Sequence, residues 1–574
     1  MSEPNSGEFS NTGHSKRFDT VRRPSFKRFA NRYGPFAVVG IALALTVGLA
    51  PTTVANNSST ATSIGQSIDT VNAPSTNPAC TKNLDLTTLA ACKPNWKGKS
   101  NGGATWKGVT SNSINIVAYG SPDSALIASL LGGEGPGHLI GTPAEEAHTL
   151  EVYGKWFNEN FQTYGRTVKF ISYNSQGTLT NSSSSSQADA VAIDKQDHAF
   201  LTIGGALDEG FFTQLAREQI ISIAGAQLPE SFYKQNAPYI FGMLPTTNTE
   251  NSFIASFICH QLGPNSKASF GGNNSVPVIN GQTRKYGIIY PTTNSDGSPS
   301  IYTGIAGNMA SQLRSTCGIK VPSQDEVGYA LDPTSAISQV QADSTRLKQD
   351  KITTVICLCD PISPTLSAGQ MAGQGYFPEF VETGYLLQDY YGLDQLYNQQ
   401  EWAHVFGISS LPVSASPQDS LYWQVYHSID PSTDPTPDAQ LIFFELLLAF
   451  AGIQGAGPNL NPQSFSQSMF NNVRITSNSP SVPTFFYSPR DYGGIKDAQM
   501  VWWDPNAIAP NGKLGDFRSV DGGYRFTPSD WPNIPATTLF DNPACLPAGS
   551  CGLPAYPPPE ISTTTSTPLV PAGG

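Results

Sequence analysis

The sequence predicts an α/β protein built on doubly wound parallel sheets. Three observations predict it. Residues 114–224 alternate short β-branched apolar runs with segments of helical period, a βαβαβαβ pattern that closes into a parallel sheet through right-handed crossovers. Residues 286–358 show the same alternation a second time. Residues 351–410 then open with a short apolar run rich in β-branched residues, 352–358, which suits a strand covered on both faces.

In chain order, 114–119 is the first strand. A long loop, 120–141, follows and contains GGEGPG at 132–137. No Lys-Ser/Thr pair follows those glycines, so this is no phosphate-binding loop; it reads as a flexible loop or the rim of a cleft. Thr142, Pro143 and Glu145 have the spacing of a helix N-cap, a first-turn proline and a capping-box acid. Leu150, Tyr153, Trp156, Phe157 and Phe161 continue that helix with one apolar face. Strand 168–173, helix 185–195, strand 198–203, helix 211–218 and strand 220–224 complete the first set. Residues 239–245 and a helix at 249–262 lead to the second set: strand 286–290, helix 301–315, strand 327–331, helix 332–348 and strand 352–358. Asp360-Pro361 stops that last strand. A helix at 364–374 and a strand ending near Gly384-Tyr385 come next. The run LIFFELLLAFAGI at 441–453 is short for a membrane span and contains Glu445, so it reads as a buried core helix. Residues 485–487 and 498–503 are the final strands.

Residues 357–361 (CLCDP), 375–380 (GYFPEF), the Gly384-Tyr385 turn and 399–409 (QQEWAHVFGIS) carry a family resemblance. They resemble extracellular solute-binding proteins of the type I, leucine/isoleucine/valine-binding-like class, especially actinobacterial versions, over roughly residues 110–505. The resemblance implies two doubly wound parallel-sheet lobes joined by a hinge, the type I periplasmic binding protein architecture. It implies that the chain crosses to the second lobe after 239–245 and returns to the first after Tyr385. The expected division is a basic n-region with signal peptide or anchor (1–55), a linker (56–110), lobe 1 (111–245), lobe 2 (246–380), the return to lobe 1 (381–480), final strands (481–540), and a C-terminal disulfide loop with a Pro/Thr-rich tail (541–574). The resemblance further implies a small-molecule solute and an ABC permease as partners.

Charge and compartment agree with export. Seven of the 32 Lys/Arg and three of the 44 Asp/Glu lie in the first 50 residues, leaving 25 against 41. That acidic remainder argues against nucleic acid as a partner. The basic residues precede a 15-residue apolar run, 36–50, and Thr53-Val54-Ala55 offers a small-residue cleavage site, so a signal peptide is the first reading and an uncleaved anchor the second. The expected location is extracellular or the cell envelope, with membrane contact only through this segment. The stretch 56–107 is rich in Ser, Thr, Asn and Gly and reads as a linker. Eight cysteines in an exported chain point to disulfides. Cys545 and Cys551, and Cys80 and Cys92, are spaced to close small loops, and Cys259 and Cys317 end two neighbouring helices. Cys357 and Cys359 are expected to be buried thiols or bridged elsewhere, because a bridge between alternate residues of one strand is strained.

No pattern of local catalytic chemistry is present. There is no G-x-S-x-G nucleophile elbow and no H-E-x-x-H, and the seven histidines form no cluster at metal spacing. His148 and His260 read as ordinary surface or core residues. No cofactor and no metal are expected, and the chain reads as a binding protein rather than an enzyme. An orphan extracellular sensor without a permease, and less favoured a hydrolase with scattered catalytic residues, are the alternatives.

A two-lobed cleft takes strand-end polar groups to orient a small ligand and aromatic faces to supply apolar area. On the first lobe the candidates are Tyr119, Gly204, Gly205, Ala206, Ala226 and Gln227; glycines at such turns allow close approach to backbone N–H groups. On the second they are Tyr290, Asp360 and Tyr385, with Asp389 behind them. Asp360 suits an ammonium group or, equally, the cap of the helix after Pro361. Tyr290 and Tyr385 serve either a ligand or the ends of their own strands, and Trp402 and Trp423 read as packing groups. The first-lobe turn is Gly-Gly-Ala where the resembling family usually has Ser or Thr, a departure that bears on amino-acid recognition. The expected ligand is a small polar, amino-acid-like or amide-like solute.

Overall fold

A two-residue strand, β1 (Leu84–Asp85), precedes the first lobe. That lobe is built on β2 (Ser113–Gly120), β3 (Thr167–Asn174), β4 (Leu201–Gly204), β5 (Ile221–Ala224) and β6 (Ile240–Gly242), all parallel in the order β3-β2-β4-β5-β6. The computed structural model describes residues 84–85, 96–120, 141–176, 182–205, 209–294, 296–331, 333–360, 363–475, 482–529 and 531. Helices α1 (Pro143–Asn160), α2 (Ser182–Ala192), α3 (Glu209–Arg217) and α4 (Glu230–Gln235) connect the strands. The expected capping box opens α1: Thr142 accepts from the Glu145 N–H and the Glu145 carboxylate accepts from the Thr142 N–H. Strand β4 starts three residues later than the expected strand at 198–203. A π-helical turn, Ile193–Asp197, ends at His198, whose φ of 48° turns the chain before the strand forms.

After β6 the chain enters α5 (Thr247–Phe257), capped by Thr246, and builds the second lobe. Its strands are β7 (Tyr286–Thr293), β8 (Glu326–Ala330), β9 (Thr354–Cys357), β10 (Glu379–Glu382) and β11 (Val405–Ser409). They pair in parallel in the order β8-β7-β9-β10-β11. Residues of β9, β10 and β11 are buried throughout, because helices cover both faces. The intervening helices are α6 (Ile305–Cys317), α7 (Pro333–Gln349), α8 (Ser363–Gly373), α9 (Tyr391–Asp394) and α10 (Gln399–Trp402).

The return to the first lobe therefore comes later than expected. The chain does not leave after Tyr385 but adds β11 to the second sheet and crosses after Ser409. The five fully buried residues of β11 need the cover of that lobe, and this decides the boundary. Helices α11 (Leu421–Ile429), α12 (Ala439–Ala456) and α13 (Pro462–Asn472) then cover the first sheet. Among the described residues α12 is the one helix long and apolar enough to cross a membrane, and it lies in the core, with Phe450 stacked on Phe157 at 5.0 Å. Gly452 lets α13 approach: a Cβ there would stand 2.4 Å from the Phe465 ring. Strands β12 (Val473–Ile475) and β13 (Phe485–Phe486) form a small sheet with β1. A third crossing leads to β14 (Ala498–Ile508), β15 (Leu514–Ser519) and β16 (Arg525–Phe526), which extend the second sheet as antiparallel strands.

Cys259 is bonded to Cys317, as their helix ends foretell. Cys357 and Cys359 are bonded to each other, against the expectation of separate thiols. Strand β9 stops at Cys357, so Cys359 lies past the pleat and their Cα atoms approach to 5.0 Å. The pairs 80/92 and 545/551 lie outside the described residues, as do the GGEGPG loop, the apolar run at 36–50 and Ala206.

Candidate functional site

Strand order locates a crevice in each lobe. In the first sheet β2 lies between β3 and β4, and in the second β7 lies between β8 and β9. Connections leave such a strand pair toward opposite faces, which opens a gap beyond the carboxyl ends. Tyr119 and Gly204 stand at the first gap and Asp360 at the second; β7 runs on to Thr293, so Tyr290, expected at its end, lies mid-strand. The two gaps face each other. Nδ2 of Asn294, just past β7, donates to Oε1 of Glu209, at the start of α3, at 3.3 Å.

On the first lobe, Tyr119 is buried against Phe211 and stacks on Tyr173. Its hydroxyl donates to Asp189 at 2.9 Å. The same carboxylate accepts from the hydroxyls of Tyr173 and Ser175 and from the N–H of Gln176. Burial and the Asp189 charge raise the Tyr119 pKa well above the tyrosine range, so it remains a donor. Gly204 has a φ of 72°, and a Cβ there would meet the Tyr119 carbonyl at 2.7 Å, so the turn needs glycine. Its N–H donates to Oε1 of Glu445 on α12. Burial pushes the Glu445 carboxyl up to about 8, against the opposing effect of the Gly204 N–H. Gly205 packs its Cα against the Phe212 ring.

On the second lobe the Asp360 carboxylate accepts from Tyr329 Oη at 2.5 Å, from the Ser363 N–H at 3.1 Å and from the Ser363 hydroxyl. This is the capping arrangement, at the start of α8, and Asp360 is 3% exposed. Tyr290 is half-buried in β7 and makes no side-chain hydrogen bond among the described residues.

Ala226, Gln227 and Tyr385 gather on the hinge side. The Ala226 carbonyl accepts from Tyr233 Oη at 3.3 Å. Gln227 is fully buried and ties three segments: Nε2 donates to Glu250 on α5, Oε1 accepts from the Leu386 N–H, and its carbonyl accepts from Tyr302 Oη. Tyr385 is fully buried and donates to the Thr247 carbonyl and to Asn251 Oδ1. Asp389 accepts from Ser409 at the second crossing. Trp402 is buried, with its indole N–H on Asp394, and Trp423 stacks on His427.

The candidates thus divide into strand ends at the two gaps and a buried polar knot at the hinge. Sequence reasoning missed Asp189, Glu209, Glu250, Asn294 and Tyr302. Asn294 stands in a polar turn after an apolar strand, which is a usable signal. Its partner lies 85 positions away, which is not. Among the described residues no three His, Cys, Asp or Glu side chains are arranged to hold a metal ion.

Solved structures share this architecture. The chain is similar to an ABC transporter substrate-binding protein of Aeropyrum pernix, at 15% identity and a TM-score of 0.50, over 73% of this chain and 97% of that one. It is equally similar, at 13% identity and a TM-score of 0.50, to a solute-binding protein of an R. palustris ABC transporter in complex with 4-hydroxybenzoate, over 74% of this chain and 98% of that one. The fold is that of a type I periplasmic binding protein. No family model matches the chain, and no curated protein matches it.

Proposed function

We propose that this protein is an exported solute-binding protein that holds a small polar molecule between its lobes and delivers it to an ABC importer. The observation that carries this reading is the opposition of two strand-end gaps, bridged by Glu209 and Asn294. Lobes hinged by three crossings open and close around such a gap. The groups offered to a solute are the Gly204-Gly205 turn and the Glu209 and Asn294 side chains. Glu209 favours a ligand that donates hydrogen bonds, which fits the expected amino-acid-like or amide-like class. The carboxylates of Asp189 and Asp360 position tyrosines and a helix end rather than the solute.

A thermal-shift screen of the protein against small metabolites tests the reading. A solute that binds only the native state raises the melting temperature, by about 2.7 kcal/mol of stabilisation at a hundred times Kd. The shift is expected to shrink in Asn294→Ala and Glu209→Gln variants. Hits unaffected by both substitutions would place the solute elsewhere, and a broad library without hits would sink the transport reading.

A further inference from the structure

Three crossings join the lobes, and a group of buried carboxyls sits where they meet. Glu250 lies in the first turn of α5, after the first crossing. Glu382 ends β10, and Asp389 is bonded to Ser409 at the second crossing. All three are at most 5% exposed. Glu250 Oε1 and Asp389 Oδ2 lie 3.3 and 3.5 Å from the point that a Cβ on Gly384 would occupy, and Glu382 Oε1 accepts the Gly384 N–H. Each of the three has one carboxyl oxygen buried without a hydrogen-bond partner among the described residues: Oε1 of Glu250, Oε2 of Glu382 and Oδ1 of Asp389. Oδ2 of Asp394, on α9, is in the same state, as are Nε2 of Gln388 and Oγ of Ser410.

The countercharge is insufficient. Arg525, on β16, is the cation that acts on Glu250 and Asp389. Its guanidinium donates instead to Asp497 Oδ1 and to the carbonyls of Ser410, Leu411 and Asp497, and so clamps the second crossing to the third. Four neighbouring buried carboxylates, with one committed guanidinium acting on two of them, cannot all remain ionised. The group has no metal-holding arrangement among the described residues. Protons are the remaining neutraliser, and a protonated carboxyl also supplies the donor that the partnerless oxygens lack.

We propose that the carboxyls of Glu250, Glu382 and Asp389 form a proton-held lock on the interlobe hinge, which loosens as the protons leave. Gln227 connects this lock to the cleft, since it bonds Glu250 with Nε2 and the Leu386 N–H with Oε1. The remaining titratable neighbours are tyrosines: Tyr385 beside Glu250, Tyr302 beside Tyr385, and Tyr397 beside Asp394 and Glu382. Their pKa values are raised by burial, so they stay neutral donors throughout. Burial and the neighbouring Asp389 charge push Glu250 well above the carboxylate range and Glu382 to about 8; burial brings Asp389 to about 6. Rising pH between 6 and 8 therefore puts like charges on neighbouring buried carboxyls. Repulsion and the demand for water then favour separation of the 384–391 segment from α5.

Hydrogen exchange of the full chain, read by mass spectrometry from pH 5.5 to 8.5 and corrected for intrinsic rates, tests the lock. Protection at 384–391 and 247–251 is expected to fall with rising pH, by up to about tenfold per pH unit for one proton released on opening. Glu250→Gln and Asp389→Asn should each flatten that dependence. Glu401→Gln, which removes a buried carboxyl outside this group, should leave it intact. A pH-independent wild type, wild-type slopes in both hinge variants, or a flattened Glu401→Gln would overturn the proposal. If the hinge variants do not fold, infrared spectroscopy of the wild type decides. A protonated-carboxyl band at pH 6 that persists in Glu445→Gln and is lost in step with the fall in protection supports the lock; its absence at pH 6 overturns it.

Discussion

The backbone N–H of Gly204 donates to Oε1 of Glu445 at 3.1 Å, joining the end of β4 to a buried helix 241 positions later in the chain. A turn that needs glycine thereby has its amide held by a core residue. Glu445→Ala should leave that donor buried and unmet, at a cost of about 1–3 kcal/mol in chemical denaturation. Glu445→Gln keeps an acceptor and should cost less.

Glu445 also predicts a pH dependence. Its carboxyl is raised to about 8 in the fold, above an ordinary glutamate near 4.5. The folded state then binds the proton more tightly than the unfolded chain. The associated stability is fully present below about pH 4.5 and is lost as pH rises through 8, at up to about 1.4 kcal/mol per unit for one proton. Denaturation midpoints measured from pH 5 to 8 should fall less steeply in Glu445→Gln than in the wild type.

Asp189 gathers the hydroxyls of Tyr119, Tyr173 and Ser175 on one buried carboxylate. Asp189→Ala should strand these donors and destabilise the first lobe by about 3 kcal/mol or more. The stacked tyrosines should loosen with it, which near-ultraviolet circular dichroism would register. Unchanged stability would mean that water replaces the carboxylate.

Asp360→Ala removes the cap of α8 and the acceptor of Tyr329. The expected loss is about 1–3 kcal/mol of stability, with solute affinity, measured by calorimetry, changed less than twofold. A large loss of affinity at unchanged stability would return Asp360 to the ligand.

The Cys259–Cys317 bridge closes a loop with a sequence separation of 58. Loop-closure entropy assigns about 4 kcal/mol to a loop of that length. The double Ser variant should lower the thermal midpoint under non-reducing conditions, and reductant should bring the wild type toward it.

Much of the fold was legible because its cause is local. The capping box of Thr142 and Glu145, the apolar runs of β2, β5 and β9, and the apolar length of α12 each follow from neighbouring residues in sequence. Site reasoning reached the strand ends for the same reason: a strand stops where its apolar run stops, and Tyr119, Gly204 and Asp360 lie there. It did not reach their occupations. Whether Asp360 meets a solute or Ser363 depends on where Tyr329 stands, 31 positions earlier.

By itself, then, the sequence determined the α/β class, the repeated plan of two parallel sheets and the places where strands end. Period and composition act over a few residues and are visible without the rest of the chain. Tertiary structure alone decided that β11 belongs to the second lobe, that Cys357 pairs with Cys359, that Glu209 meets Asn294, and that Glu250, Glu382 and Asp389 share one buried place at the hinge. Such pairings depend on long-range packing, in which the gain from burying one surface against another selects partners that no local pattern names.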